Sequence, residues 1–431
     1  MAPALKLVLK PPCNGEFYTM EDVISGEFIL DLEKPLSIRE IVIKLVGSSE
    51  TLVRPGEHST NGTRTSLQVP LEDQHSVHEI MNSEVSVFPP QNVKTAMQGS
   101  KKAFKVEQGS YTFRFDFEFP DTPLCLATHP KKLYTFLSNE PNIGLPPSFN
   151  NALKTEEVQN LDIYFYSLGK VEYYVEAVVL TGNEDSWFKP FRAASPALKR
   201  TFELIPSNFA QKQLQTIMQS ANSTPVMTFL SKFDVTFEDD DIRLWLEVRS
   251  RQLRSIYRLD YLFLPGCNKF DQIFLIMPLP LPEGSDLRIV GVEINLIEFV
   301  TYLAGGRSNS NLNSLRLAKT NADLQIDLSR SYTNSDGDQE CLIDIADIET
   351  LSKLRFNEED YRHRGNRLYS LITCNIRRLF KFQLFLHMTL NGRDKFQFEV
   401  LTDFVNVFCE SVTVEAHPPA YAEEEQLPSY K

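Results

Sequence analysis

The sequence has few of the signatures on which enzymes, metal proteins and secreted proteins depend. Its six cysteines stand at positions 13, 125, 267, 341, 374 and 409, and no two of them form a C-x-x-C pair. Such scattered cysteines indicate reduced, mostly buried thiols in the cytosol. Walker, G-x-G-x-x-G and G-x-S-x-G sequences are also absent, so no nucleotide site or activated serine is indicated. We expect a non-enzymatic protein without metal or cofactor.

Long apolar runs are missing as well. No stretch of eighteen apolar residues occurs, which excludes a membrane-spanning helix. The N-terminal sequence Met1 to Lys6 lacks the apolar core of a signal peptide. The net charge of −13 argues against a general nucleic-acid binder. We therefore expect a cytoplasmic protein that contacts membranes only peripherally.

What the chain does contain is the alternation typical of β-strands. From Tyr111 to Phe119 every second residue is aromatic, while polar residues occupy the positions between them. A period of two with one aromatic face predicts a half-buried strand. Near the C-terminus, Asn391-Gly392 separates two apolar stretches and predicts a tight hairpin turn. Many short strands with turn signals between them predict an all-β protein of two tandem antiparallel β-sandwiches.

Changes in composition suggest the domain limits. We predict a first sandwich over residues 1–200, interrupted by a polar loop insertion at about 50–74, and a second over residues 226–412. Residues 201–225 read as a linker with a possible short helix. Gly305 to Asn313 reads as a Gly/Ser/Asn loop. Residues 413–431 read as a disordered tail.

The tail carries two motifs of the form (L/P)-P-x-Y, which WW domains bind. They are Pro418-Pro419-Ala420-Tyr421 and Leu427-Pro428-Ser429-Tyr430. A proline pair is already close to the polyproline II shape that an aromatic groove captures, and the tyrosine supplies a rigid ring. The candidate WW-binding residues are Pro418, Pro419, Tyr421, Leu427, Pro428 and Tyr430. Other proline pairs, such as Pro146-Pro147, lack the tyrosine and are expected to be structural.

Two basic clusters stand out in this acidic chain. Either could bind acidic cargo segments or anionic lipid, and either could be a solvated sheet face with local ion pairs. The candidate residues are Arg249, Arg251, Arg254, Arg258, Arg377, Arg378 and Lys381.

Several segments resemble one known family. Gly109 to Pro120 resembles the G-x-Y-x-F-x-F-x-F-x-L-P strand of arrestin N-domains. Leu145-Pro146-Pro147-Ser148-Phe149 resembles the "LPPSF" of α-arrestins, and Lys170 to Ala177 is similar to the strand that closes that domain. With the tail motifs, the chain resembles the fungal arrestin-related trafficking adaptors.

The resemblance implies a function as well as two arrestin-like sandwiches. It implies an adaptor whose tail motifs bind the WW domains of a HECT-type ubiquitin ligase. The ligase would then ubiquitylate a membrane transporter or receptor held by the sandwiches, and the adaptor itself, at the plasma membrane or endosomes. An arrestin-like signalling scaffold without a transporter cargo, as in ambient-pH sensing, is the alternative.

Overall fold

A computed structural model describes residues 3–53, 72–96, 103–125, 135–136, 144–151, 167–181, 196–206, 227–237, 240–250, 256–258, 272–343, 362–363, 366–401, 404 and 406–408. The predicted tail and most of the predicted linker lie outside these ranges. In the described part, no helix is both long and apolar enough to cross a membrane.

The first half of the chain forms two facing antiparallel sheets. The smaller sheet has the order β1-β2-β6, with strands β1 (Ala4–Leu9), β2 (Ile24–Leu32) and β6 (Gly109–Phe117). The larger has the order β4-β3-β8-β7, with β3 (Leu36–Val53), β4 (Gln74–Phe88), β7 (Phe149–Asn150) and β8 (Leu168–Thr181). Strand β5 (Phe104–Val106) pairs with β3, and β9 (Ala197–Phe202) pairs with β8. A short helix α1 (Gln91–Ala96) follows β4.

The second half repeats the arrangement. One sheet has the order β10-β11-β13-β17-β16, with β10 (Met227–Phe237), β11 (Asp240–Ser250), β13 (Gln272–Met277), β16 (Tyr332–Thr333) and β17 (Gln339–Ile343). The other has the order β15-β14-β21-β20, with β22 paired to β21; its strands are β14 (Leu287–Ala304), β15 (Arg307–Gln325), β20 (Leu371–Ile372), β21 (Ile376–Leu390) and β22 (Asp394–Leu401).

Two small ladders complete the second half. Strands β12 (Ile256–Arg258) and β23 (Asn406–Phe408) pair in parallel. Strands β18 (Arg362–His363) and β19 (Asn366–Arg367) pair antiparallel. A 3-10 turn, Leu328–Arg330, precedes β16. The described structure confirms the all-β, two-sandwich prediction.

Each sandwich encloses its own apolar core. In the first, inward side chains such as Phe28, Ile43 and Val175 are fully buried between the sheets. In the second, Leu246, Ile294 and Phe382 do the same. The aromatic strand predicted from Tyr111 is β6, and its Phe115 and Phe117 enter the first core. Because successive side chains of a strand point to opposite faces, each sheet has one apolar face, and these apolar faces pack against each other.

Three local predictions differ from the structure. Strand β3 continues through residues 50–53 and β4 begins at Gln74, so the polar insertion is narrower than expected. Residues 307–313 belong to β15, joined to β14 by a tight turn at Gly305 and Gly306, both at positive φ. The sequence around Leu168-Gly169 also suggests a hairpin turn, but these two residues begin β8 and pair with β3. In each case sequence polarity or glycine suggested a loop, whereas the backbone pairs with at least one neighbouring strand.

Candidate partner-binding surfaces

The tail motifs and part of one basic cluster cannot be placed. Pro418, Pro419, Tyr421, Leu427, Pro428 and Tyr430, and also Arg251 and Arg254, lie outside the described residues. The backbone of Arg249 lies in β11, between Thr228 of β10 and Gln272 of β13. The backbone of Arg258 lies in β12.

Arg377 and Lys381 do reach the surface. They belong to the outward-facing row of β21, about 13 Å apart along the strand. The guanidinium of Arg377 lies 5.2 Å from the ring centroid of Phe136. The ammonium of Lys381 lies 4.6 Å from the centroid of Phe404 and 5.9 Å from that of Phe299. Both cations thus stand against aromatic faces, an arrangement that holds the charges in place.

Apolar side chains fill the space between these two cations. Phe299 of β14 lies opposite Leu379, halfway between Arg377 and Lys381, and opposite Leu312 on its other side. Leu312 is 60% exposed and Phe404 is 42% exposed. The rings of Phe299 and Phe404 meet edge to face at 5.1 Å. We call Arg377, Lys381, Phe299, Phe404 and Leu312 the cation–aromatic patch.

Arg378 does not belong to any surface, and its assignment to a cargo-binding or lipid-binding site was wrong. It is 1% exposed because it falls on the inward row of β21, out of phase with Arg377. Its Nε donates to Glu298 Oε1 at 2.6 Å, and its Nη1 donates to the carbonyls of Arg367 (2.5 Å) and Tyr369 (3.2 Å). The ion pair and the carbonyls replace most of the hydrogen bonds to water that this cation loses, while its Nη2 makes no hydrogen bond.

The Arg378 side chain lies where the two sandwiches meet. Its guanidinium is 5.2 Å from the ring of Phe149, a residue of the first sandwich. Next to it, the backbone amide of Asn150 donates to Asn366 Oδ1 at 2.7 Å, and Asn366 Nδ2 donates back to the Asn150 carbonyl at 2.7 Å. This reciprocal pair fixes β7 of the first sandwich against β19 of the second.

A second group of buried polar contacts crosses the same interface. Asn375 Nδ2 donates to the Ser49 carbonyl (3.2 Å) and to Thr51 Oγ1 (3.3 Å), and Ser49 Oγ donates to Asn375 Oδ1. Thr51 Oγ1 donates to the Leu303 carbonyl at 2.8 Å. Ser49 and Thr51 are fully buried. Their partners explain why β3 continues into a polar stretch that the sequence suggested was a loop.

Apolar packing accompanies these hydrogen bonds. Val300, Tyr302, Leu371 and Ile376 of the second sandwich join the core of the first. The ring of Tyr302 lies over Gly169, where a Cβ atom would come within 2.6 Å of the ring. Because most of its buried polar groups are hydrogen-bonded and its apolar groups interdigitate, this interface holds the described parts of the two sandwiches in one arrangement.

The motif Leu145-Pro146-Pro147-Ser148-Phe149 is structural, as expected for a proline pair without tyrosine. Leu145, Pro146, Pro147 and Phe149 are buried. The Tyr173 hydroxyl donates to the Pro146 carbonyl at 2.6 Å. Burial raises the pKa of Tyr173 well above its usual value, so the hydroxyl stays protonated and keeps donating.

Comparison with known proteins decides the family. Residues 13–190 match the family described as arrestin (or S-antigen), N-terminal domain, and residues 223–412 match the C-terminal domain of arrestin-related trafficking adapter 10. A Lachancea thermotolerans protein named arrestin-related trafficking adapter 10 is 58% identical over all of both chains. The chain belongs to the arrestin-related trafficking adapter 10 family.

More distant members of this family align over almost the full length too. Proteins with the same name from Saccharomyces cerevisiae strain Lalvin EC1118 and from Zygosaccharomyces rouxii are 36% and 34% identical. The alignments cover 98% of this chain and 99% of the first protein, and 99% of this chain and 100% of the second. The names of these relatives support an adaptor role in trafficking for the adapter 10 family member described here.

Sequence reasoning missed the interface that positions these surfaces. A signal was present in β21, where Arg378 interrupts an otherwise apolar inward row that includes Ile376, Phe380 and Phe382. An arginine in such a row predicts a buried carboxylate partner. The partner, Glu298, stands in the same kind of position in β14, but nothing local to Glu298 shows which strand it pairs with.

Proposed function

We propose that this protein recruits a HECT-type ubiquitin ligase to plasma-membrane transporters or receptors and so promotes their ubiquitylation, endocytosis and degradation. The observation that carries the proposal is the pair of WW-ligand motifs that follows two arrestin-family sandwiches. The protein is proposed to act without catalysis of its own, since the ligase supplies the chemistry.

The number of residues between the sandwiches and the first tail motif is compatible with separate binding of the ligase and the client. Tyr421 stands thirteen positions after Phe408, the last residue of β23. If this segment is the disordered tail that the sequence predicts, it spans roughly 20 Å on average and up to about 45 Å when extended. A WW domain bound at Tyr421 can therefore sit away from the sandwiches, which leaves their surfaces open to a client.

The two motifs need not act together. Tyr421 and Tyr430 are nine positions apart, which corresponds to about 17 Å on average. Two WW domains of one ligase engage both motifs only if the domains lie that close, and affinity then rises through the high local concentration of the second motif. With WW domains farther apart, the motifs act as alternatives for one domain.

The cation–aromatic patch is the proposed client-binding surface. Its two cations suit the carboxylates of an acidic cytosolic segment, and exposed Phe404 and Leu312, together with the half-buried ring of Phe299, suit the apolar residues of such a segment. Arg249, Arg251, Arg254 and Arg258 are proposed as a further cationic contact with cargo or anionic lipid, on the basis of the sequence alone. Ubiquitin is proposed to be attached to the client and also to the adaptor.

The experiment compares plasma-membrane proteins in cells that lack this protein, cells that express it, and cells that express the Tyr421→Ala/Tyr430→Ala variant. We expect one or more transporters or receptors to persist at the surface both in the absence of the protein and with the variant. If no surface protein changes in either comparison, the trafficking function is contradicted. The signalling-scaffold alternative predicts that result.

A further inference from the structure

Two buried cysteines meet at the junction between the sandwiches. Cys125 lies at the end of the segment that follows β6 in the first sandwich, and Cys374 lies in the turn between β20 and β21 of the second. The two residues are 249 positions apart in the sequence, yet they pack against each other together with Ile372. They are 3% and 1% exposed.

Hydrogen bonds hold the chain around this contact on both sides. One position before Cys125, the Leu124 amide donates to the Ile80 carbonyl at 2.5 Å. Farther along the first half, Thr135 Oγ1 and the Phe136 amide donate to the Cys374 carbonyl at 3.1 Å and 3.3 Å. Asn375, next to Cys374, makes the contacts to Ser49 and Thr51 described above. The two thiols are therefore fixed by the interface itself.

The thiols are close enough to interact directly. The hydrogen bond between Cys125 and Cys374 is the largest cause of a strongly raised pKa for Cys374, and burial adds to it. Both effects favour the protonated thiol, which is a poor nucleophile. While the interface is closed, the pair resists oxidation.

We propose that Cys125 and Cys374 form a reversible disulfide that locks the two sandwiches together under peroxide. When the interface opens briefly, one cysteine loses its proton and attacks hydrogen peroxide. That cysteine becomes a sulfenic acid and one water leaves. When the interface closes, the second thiol displaces the hydroxyl as water and the S–S bond forms. Two thiols give two electrons to one peroxide and yield one disulfide and two waters. Cytosolic thiols reverse the bond by exchange.

The other described cysteines have no comparable arrangement. Cys13 is exposed. Cys341 is buried in the core of the second sandwich, with its sulfur 3.6 Å from the Asp327 carbonyl. Among the described cysteines, only Cys125 and Cys374 pack against each other. Oxidation that selects this one pair is distinguishable from general oxidation of the chain. The proposed disulfide does not depend on the adaptor function.

The test treats the purified, reduced full-length chain with hydrogen peroxide, blocks free thiols with an alkylating agent, and identifies linked peptides by mass spectrometry. We expect the Cys125–Cys374 link to be the main product and to disappear on reduction. It should be absent from Cys125→Ser and Cys374→Ser and retained in Cys341→Ser, the buried control, and Cys13→Ser, the exposed control. Oxidation of Cys13 without a Cys125–Cys374 link would overturn the proposal, as would unselective pairing of Cys13 with several cysteines.

A rate measurement tests the opening step. Gly169→Ala places a methyl group against Tyr302 and loosens the interface without changing a thiol. Because oxidation requires opening, we expect the link to form at least several-fold faster in this variant. An unchanged or lower rate would contradict the requirement that the interface opens.

Discussion

Arg378 and Glu298 form an ion pair inside the second sandwich, with Arg378 Nε 2.6 Å from Glu298 Oε1 and both side chains almost wholly buried. Glu298 Oε2 also accepts from Asn313 Nδ2 at 2.8 Å, so the pair is tied to β15 as well. The Arg378 guanidinium also lies 5.2 Å from the ring of Phe149 in the first sandwich, so the pair connects the core of the second sandwich to the interface.

Removing one member of this pair should be strongly destabilising. We expect Arg378→Met to lower the free energy of unfolding by about 3–5 kcal/mol, because Glu298 is left as an unpaired buried charge. The double variant Arg378→Met/Glu298→Leu should recover much of the loss, since no charge then remains buried. Denaturant unfolding of the purified chain measures both.

Arg377→Met is the matched control, one position away on the outward row of β21. It should change the free energy of unfolding by no more than about 0.5 kcal/mol. Equal losses for Arg377→Met and Arg378→Met would show that the burial of Arg378 does not set its importance.

The contact between Gly169 and Tyr302 predicts a size-dependent effect at the interface. A Cβ atom at residue 169 would lie 2.6 Å from Tyr302 Cε1, so Gly169→Ala should destabilise the chain by about 1–3 kcal/mol through overpacking. Adding Tyr302→Leu removes the ring and should relieve most of this loss, and the remaining close neighbour is the flexible end of Ile376 at 3.0 Å. Thermal unfolding of the four variants in the cycle gives the coupling energy. A coupling near zero would mean that the ring does not rest on Gly169.

The cation–aromatic patch predicts a separation of functions. Arg377→Glu/Lys381→Glu should stabilise the client at the cell surface, because reversed charges repel an acidic segment, while binding to the ligase stays unchanged. Lys395→Glu, a charge reversal at an exposed position in β22 far from Phe299, is the control for a non-specific charge effect. Surface abundance of the client and co-purification of the ligase are measured together. Normal client turnover in the double variant would show that the patch does not bind the client.

Binding of the purified chain to vesicles identifies the partner of the patch. If the double charge reversal abolishes binding to vesicles rich in anionic lipid but leaves binding of the client's acidic segment intact, the patch is a lipid surface. If the patch binds an acidic segment, the double charge reversal should abolish binding of that segment and leave binding to the vesicles intact.

One carboxylate gives the first sandwich a pH dependence. The hydrogen bond from His75 Nε2 (2.8 Å) and the contact with Lys170 Nζ (3.0 Å) lower the pKa of Glu50 below its ordinary value of 4.5, although partial burial opposes the shift. The ionised form is therefore favoured by folding. Its stabilising contribution is present above pH 4.5 and is lost as the pH falls through the lowered pKa.

The Glu50→Gln variant tests this sign. The wild-type chain should be more stable than the variant at pH 7, by less than about 1 kcal/mol because the pair is partly exposed. The difference should shrink as the pH falls below 4.5. A difference that grows on acidification would contradict the lowered pKa.

Much of this fold could be predicted from alternation, and the interface could not. Strand β6 could be recognised from the sequence because one of its faces packs on the apolar core and the other faces solvent. Apolar and polar residues therefore alternate along it. Strand β3 near Thr51 is not visible, because its inward groups are satisfied by Leu303 and Asn375 from the other half of the chain. Partners more than 250 positions away leave no local pattern.

The candidate binding residues also differ in how far they could be predicted from the sequence. Arg377 and Arg378 are identical in type and adjacent in the sequence, yet one is exposed and the other buried. The phase of the strand decides between them, and that phase could be read from Phe380 and Phe382 on the same row. The tail motifs are evident from the sequence alone because a short linear ligand needs no tertiary context to be recognised.

Binding of the purified full-length chain to the WW domains of a HECT-type ligase tests the central claim most directly. The wild-type chain should bind, and Tyr421→Ala/Tyr430→Ala should lose binding because both aromatic contacts are gone. Ser429→Ala, at the variable position between Pro428 and Tyr430, should bind as the wild type does. Undiminished binding by the double tyrosine variant would contradict the account.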